Sequence, residues 1–355
     1  MPSREQPPQP RRGFRCGGVP AFTFFERPVA YSKRKINTRT PSYMSCLRIL
    51  AAIAAAGLAL PVHAATSVSL PGWECAHPDA VFVDEFDEGS TVPHDPSNGN
   101  GGQFPGKQSR TVHVAGLGTG KQTYYLYLPA DYTPTHSWPL LVVLHGVAPY
   151  GSQNSYASTT RDNWIAAATA GHFIVAAPVA SKVYYDNNFQ PYAVSWLVPP
   201  TSGPSDYDMF AAIRDDLESA YNIERTRIYG WGFSAGAHVM HDLAVNTYSD
   251  AFNASTMAAY GVSAGVLQGL ACPGPTDAGC GPLLQGLPRR IPVDIHIGVS
   301  DPNYGQAVAD HALFLTQGWT DDATIHYVEF SGGHTYTVAQ LSTIWNNICP
   351  NAVTP

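Results

Sequence analysis

The chain is poor in charge. Of its 355 residues only 13% are Asp, Glu, Lys or Arg, against roughly a quarter in an ordinary soluble protein. Basic residues are scarcest past the N-terminus. Residues 1–64 hold 10 of the 20 Lys and Arg but only 2 of the 27 acids, which leaves 10 bases against 25 acids and a net charge of −15 over residues 65–355. Binding to phosphate backbones needs clustered Lys and Arg, so nucleic acid is excluded as a partner. Cysteine is sparse, at 6 residues, and no C-x-x-C pair occurs, which argues against zinc ribbons and thioredoxin-type redox centres. No metal or organic cofactor is called for. No apolar run approaches the ~20 residues that cross a bilayer. Internal repeats are absent as well. What is plentiful is apolar and aromatic surface, 44% and 11% of the residues, enough for one large α/β domain or two small ones.

The front end reads as targeting sequence rather than fold. Residues 1–43 form a basic, Pro- and Arg-rich extension without apolar periodicity, expected to be missing from the mature protein. Met44 to Ala64 has the layout of a secretory signal peptide: a short basic start, an apolar core from Ile49 to Leu60, and Val62-His63-Ala64 before the cleavage point. Residues 65–108 are a lead-in segment, and 109–355 the main folded domain. The expected location is secreted, extracellular or periplasmic, where cysteines pair. Four cysteines survive cleavage, and four allow three pairings. The favoured one joins Cys272 to Cys280 across a Pro/Gly loop and Cys75 to Cys349 across the ends of the mature chain.

Buried strands and helices alternate along the domain. Residues 110–114 and 122–129 alternate like a hairpin, and Leu140 to His145 and Phe173 to Pro178 are continuous apolar runs of the kind buried on both faces of a parallel sheet. Further strands are expected at 257–262, 291–301 and 323–330, and helices at 163–170, 207–221, 306–317 and 338–348. The fold class is therefore α/β: a doubly wound, mostly parallel sheet with helices on both faces and antiparallel strands at its start.

The most informative stretch is Tyr229-Gly230-Trp231-Gly232-Phe233-Ser234-Ala235-Gly236. It leaves a strand at Arg227-Ile228 and enters a helix. Strand, G-x-S-x-G, helix is the context of a nucleophile elbow, in which the serine sits on a strained turn and the helix N-terminus offers a free N–H to an oxyanion. In such sheets ligands bind at the carboxyl ends of the strands. Asp301 ends its strand there, whereas Asp294 lies near the beginning of the same segment and should point away. His334 follows its strand behind Gly332-Gly333. His296 and His326 lie within strands, and His238 and His241 on the elbow helix, where packing explains them better. Ser234, Asp301 and His334 thus form the candidate triad, in the chain order of an α/β-hydrolase. Ala235 N–H is one oxyanion donor, and the turn His145-Gly146-Val147 supplies the second through Val147 or Gly146.

Leu-His-Gly after an early strand, Gly-Phe-Ser-Ala-Gly, Ser-Asp-Pro at a strand end and a late Gly-Gly-His together resemble the α/β-hydrolase serine esterases that include polyhydroxybutyrate depolymerases and feruloyl esterases. The resemblance covers about residues 108–350. It implies the triad and oxyanion roles just named, and a carboxylic ester, small or polymeric, as substrate. Many relatives carry Cys or a second Gly after the His-Gly pair, where this chain has Val147. The substrate region is expected in the aromatic loop Tyr184 to Trp196, with Tyr185 and Trp196 as contacts and with His145, Tyr150, Tyr156 and Trp231 beside them. A monomer is expected. Two other readings share the motifs: an acyltransferase or peptidase with the same triad, and an inactive binding protein on the same scaffold.

Overall fold

The apolar runs become the middle of one sheet because their alternate side chains can be buried on opposite faces. The elements in chain order are β1 Ser67–Ser69, β2 Gly106–His113, β3 Lys121–Leu128, β4 Trp138–Leu144, β5 Ala148–Pro149, α1 Gln153–Gly171, β6 Ile174–Pro178, β7 Lys182–Tyr185, β8 Pro191–Ser195 and α2 Asp206–Ala220. They continue with β9 Ile223–Phe233, α3 Ala235–Val245, β10 Ala259–Ser263, α4 Cys280–Gln285, β11 Val293–Gly298, α5 Tyr304–Thr316, β12 Ile325–Phe330, α6 Val338–Ile348 and β13 Asn351–Val353. This computed structural model describes residues 67–69, 94–103, 105–272 and 279–353. Residues 60–355 group as one unit. The basic extension, the signal segment and Cys75 lie outside the described residues.

Eight strands form the main sheet in the order β12-β11-β10-β9-β4-β6-β3-β2. All neighbours are parallel except β6–β3 and β3–β2, so the antiparallel strands at the start of the domain form one edge, as expected. Every residue of β4 and β6 is buried. Leu140, Val142, Leu144, Ile174 and Ala176 pack on the face covered by α2, α3 and α5. Leu141, Val143, Val175 and Ala177 pack on the other, against Trp164 of α1 and Leu341, Ile344 and Trp345 of α6. A capping box at Ser205 starts α2 and another at Thr337 starts α6. Near the antiparallel edge, Arg110 grips Asp216 of α2 with two bonds of 2.8 Å, and Tyr124 donates to the same carboxylate at 2.5 Å.

Three features differ from the sequence reading. Helix α1 begins ten residues before Asn163, because its sheet-facing positions include Thr160 and Arg161 rather than apolar residues. Arg161 is buried there by donating to the carbonyls of Leu126 (3.0 Å) and Gln108 (3.3 Å). The aromatic stretch is a hairpin, not a loop: β7 and β8 pair, and β8 pairs with β5, giving a separate three-stranded sheet. Strand β13 pairs with β1, a contact that no periodicity announced. Among the described residues no helix is long and apolar enough to cross a membrane.

Cys272 and Cys280 are joined, closing a loop of sequence separation 8 just before α4. Cys349 is also disulfide-bonded. A loop this short contributes roughly 2–3 kcal/mol by restricting the unfolded chain. The double variant Cys272→Ser/Cys280→Ser should lose about that much stability in urea denaturation, with added amide exchange confined to α4 and its loop.

Candidate active site

The elbow is made by close packing that only glycine allows. Strand β9 ends at Phe233, α3 begins at Ala235, and Ser234 between them has φ 54° and ψ −121°, a conformation that costs an L-residue on the order of 1–3 kcal/mol. A Cβ at Gly232 would lie 2.1 Å from the Gly236 carbonyl oxygen, and one at Gly236 2.3 Å from that of Leu144. Strand, turn and helix are therefore in backbone contact with one another and with β4. The Ser234 N–H donates to the Ser263 carbonyl at the end of β10 (3.0 Å). Ala235 N–H is the first amide of α3, with no carbonyl one turn earlier in the helix to accept it.

Ser234, His334 and Asp301 meet at the carboxyl ends of β9, β12 and β11. Ser234 Oγ lies 2.7 Å from His334 Nε2, and His334 Nδ1 lies 2.9 Å from Asp301 Oδ2. A carboxylate oxygen can only accept here, so Nδ1 carries the hydrogen and Nε2 is free to accept from the serine. The Asp301 side chain is fully buried, and that of His334 is 39% exposed. The other carboxylate oxygen of Asp301 accepts from Asn303 N–H (2.8 Å). The His334 ring packs against Phe233, which in turn meets Tyr336. Asp294 sits at the opposite end of β11, buried, with Oδ2 accepting from Asn347 (2.5 Å).

The turn after β4 closes the other side of Ser234. A Cβ on Gly146 would stand 3.1 Å from Ser234 Cβ. His145 is buried behind this turn. Its Nδ1 is 2.6 Å from the Gly146 carbonyl oxygen, and its Nε2 lies 3.3 Å from Ala180 N–H. The carbonyl must accept and the amide must donate, so the ring is the neutral Nδ1–H tautomer. Burial lowers its pKa to about 4, against the partial compensation of the Gly146 bond. The Trp196 indole N–H donates to the His145 carbonyl (2.9 Å).

The expected substrate contacts divide by burial. Tyr150 and Tyr185 are exposed, with Tyr156, Tyr192 and Val147. Phe189, at the hairpin tip, is 84% exposed in a left-handed conformation, φ 59°. Asp186 fixes that tip by accepting from the Asn188 and Gln190 amides at 2.8 and 2.9 Å. His145, Trp196 and Trp231, expected beside the substrate, are instead all buried. Trp231 is on the face of β9 that packs against Trp164 and Tyr336, since alternation along the strand turns it under α1 and α6. Trp196 and His145 pack together beneath the turn, ring centroids 4.8 Å apart and planes tilted by 42°. The sequence reading missed Ser181 and Asp206, which brace this region. Ser205-Asp206 looks like any helix cap, and nothing local distinguishes it.

No family model matches the chain, and no curated protein matches it. Solved structures do. A ferulic acid esterase is similar over 70% of this chain and 99% of its own, with a TM-score of 0.51 at 14% identity. A thermostable esterase is similar over 69% of this chain, with a TM-score of 0.50 at 18% identity, and this chain spans 63% of that protein's length. The chain has the α/β-hydrolase fold. At these identities the likeness is one of fold. Within an α/β-hydrolase sheet the order β11-β10-β9-β4 puts Ser234 between the Gly146 turn on one side and Asp301 with His334 on the other.

Directly behind the elbow, His241 of α3 is fully buried, its Nδ1 3.0 Å from the Tyr260 hydroxyl and its ring stacked on Phe314. Burial, with repulsion from His238, lowers its pKa to about 3. Unfolded, it titrates near 6.5. Between those values the unfolded chain binds a proton that the folded chain refuses, so this stability is complete above pH 6.5 and is lost as pH falls toward 3. His241→Gln should gain about 3 kcal/mol relative to wild type between pH 7 and pH 4, measured by urea denaturation at the two values.

Proposed function

We propose that the protein is a secreted serine carboxylester hydrolase that works through an acyl-enzyme. The observation that carries this reading is the bonded line Asp301–His334–Ser234, with distances of 2.9 and 2.7 Å, ending on a serine held out of the strand by a left-handed turn. Ser234 Oγ attacks the ester carbonyl while His334 Nε2 takes its proton. Asp301 holds the Nδ1–H tautomer and stabilises the imidazolium that forms. The tetrahedral oxyanion is received by Ala235 N–H and by an N–H of the Gly146–Val147 turn, each such donor lowering the barrier by about 3–4 kcal/mol. His334 returns the proton to the leaving alcohol. Water, deprotonated by the same Nε2, then attacks the acyl-enzyme, and Ser234 Oγ leaves, taking that proton back from His334 as the carboxylic acid is released. The Cys272–Cys280 disulfide favours an oxidising compartment.

For the acyl group, the exposed rings of Tyr150, Tyr185, Phe189 and Tyr192 lie on or beside the small sheet that continues from the oxyanion turn through β5. Flat rings on a rigid hairpin suit a phenolic acid or an apolar polyester chain. The solved neighbour named a ferulic acid esterase is in keeping with the first.

The full chain should release ferulate from methyl ferulate or clear a polyhydroxybutyrate emulsion, and a fluorophosphonate probe should label Ser234. Ser234→Ala should lower kcat by about 10⁴-fold or more with its melting temperature within a few degrees of wild type. Residual turnover close to wild type would remove Ser234 from the chemistry. Ferulate release without clearing makes the hairpin a phenolic platform, and the converse makes it a surface for an aliphatic polyester.

A further inference from the structure

One buried carboxylate takes no part in the chemistry above. Asp206, the first residue of α2, is fully buried. Its Oδ1 accepts from Ser181 Oγ (2.5 Å), and its Oδ2 accepts from Ser181 N–H (3.2 Å) and Leu197 N–H (2.9 Å). Its own N–H donates to the Leu197 carbonyl (2.8 Å). One side chain thus clamps the residues that flank the two ends of the β7–β8 hairpin. Burial pushes its pKa up to about 6 against the pull of these bonds, a cost that a merely packed position avoids.

Each clamped residue is the chain neighbour of a group that holds His145. Ala180, before Ser181, presents its N–H to His145 Nε2, and Trp196, before Leu197, gives its indole N–H to the His145 carbonyl. The His145 ring in turn holds the Gly146 carbonyl at 2.6 Å. In a trans peptide the C=O and the following N–H point in opposite directions. Holding the His145 carbonyl toward Trp196 therefore fixes the Gly146 N–H, and holding the Gly146 carbonyl toward the ring fixes the Val147 N–H. These are the two amides available to an oxyanion on this side of Ser234.

We propose that Asp206 is a positioning residue for the oxyanion turn. It braces Ala180 and Trp196 so that His145 keeps the Gly146 and Val147 amides aimed at the reacting carbonyl. The inference rests on the esterase reading for its catalytic consequence, but not for its structural one.

The test compares Asp206→Ala, Asp206→Asn and Asp216→Ala in the full chain. It uses p-nitrophenyl acetate as the ester probe and hydrogen–deuterium exchange over residues 144–149. Asp206→Ala should lower kcat roughly 10²-fold, the usual consequence of misplacing a catalytic group by about 1 Å. KM should stay within about threefold, and exchange should quicken at 144–149 but not around Ser234 or His334. Asp206→Asn should recover most of the rate. Its amide oxygen can replace Oδ2, and its NH2 can donate to the Ser181 hydroxyl. Asp216→Ala, which removes a carboxylate of α2 bonded to Arg110 and Tyr124 rather than to Ser181 and Leu197, should lower stability and leave kcat/KM unchanged. Unchanged exchange at 144–149 in Asp206→Ala overturns the proposal, as does an equal kcat loss in Asp216→Ala. Should Asp206→Ala fail to fold, Ser181→Ala removes one of the three bonds that Asp206 accepts, the one from the Ser181 hydroxyl, and an unaltered kcat and exchange there overturns it equally. A wild type that hydrolyses no ester overturns the esterase reading instead, and the exchange result then decides the positioning role alone.

Discussion

The rest of the site depends on the contact among Gly232, Gly236 and the end of β4. There the backbone of the elbow helix lies so close to two strands that a single methyl group would overlap a carbonyl oxygen. That closeness forces the chain to reverse within one residue, and Ser234 absorbs the reversal with its left-handed φ. The cost, on the order of 1–3 kcal/mol, is offset by the buried interior that α3 forms with β4, β9 and β10. The same closeness brings the first amides of α3 beside the turn at Gly146, so the candidate nucleophile and both candidate oxyanion donors come from one packing event.

The polar groups around Ser234 are graded by burial. Asp301 is fully enclosed and half satisfied by a backbone amide, so its remaining oxygen has one geometry left to offer. His334 stays partly exposed on its glycine loop but is backed by Phe233. His145 is wholly enclosed and neutral. Its two nitrogens are committed to a carbonyl and an amide, so it acts as a rigid strut rather than a base. Two histidines in one neighbourhood, His334 and His145, thus differ in role because they differ in solvent access and partners. Their proximity in sequence to a glycine or a helix does not set the role.

Particular residues show where sequence reading reached and where it stopped. Strands β4 and β6 were legible because burial on both faces demands an unbroken apolar run. The elbow was legible because its glycines answer to a local steric rule. Helix α1 was read short because Thr160 and Arg161 are buried through hydrogen bonds, and a hydrophobic period does not register a buried arginine that has found carbonyl partners. Trp231 was placed with the ligand because an aromatic next to a catalytic motif looks available. Its side of the strand is set by the alternation that also points Phe233 toward His334. The hairpin of β7 and β8 was read as a loop because Tyr, Asn and Gln carry no clean period there, and its turn is held by the Asp186 side chain.

By itself the sequence determined the class of fold, the order of the main-sheet strands and of the longer helices between them, and the chemical types at the strand ends, because these follow from periodicity and from local steric needs. Only the tertiary structure decided which side chains face solvent, which histidine is a strut, and that Asp206 braces a turn 60 residues before it. Those outcomes depend on hydrogen bonds between segments distant in the chain, and a donor or acceptor in a sequence carries no mark of the partner it will find.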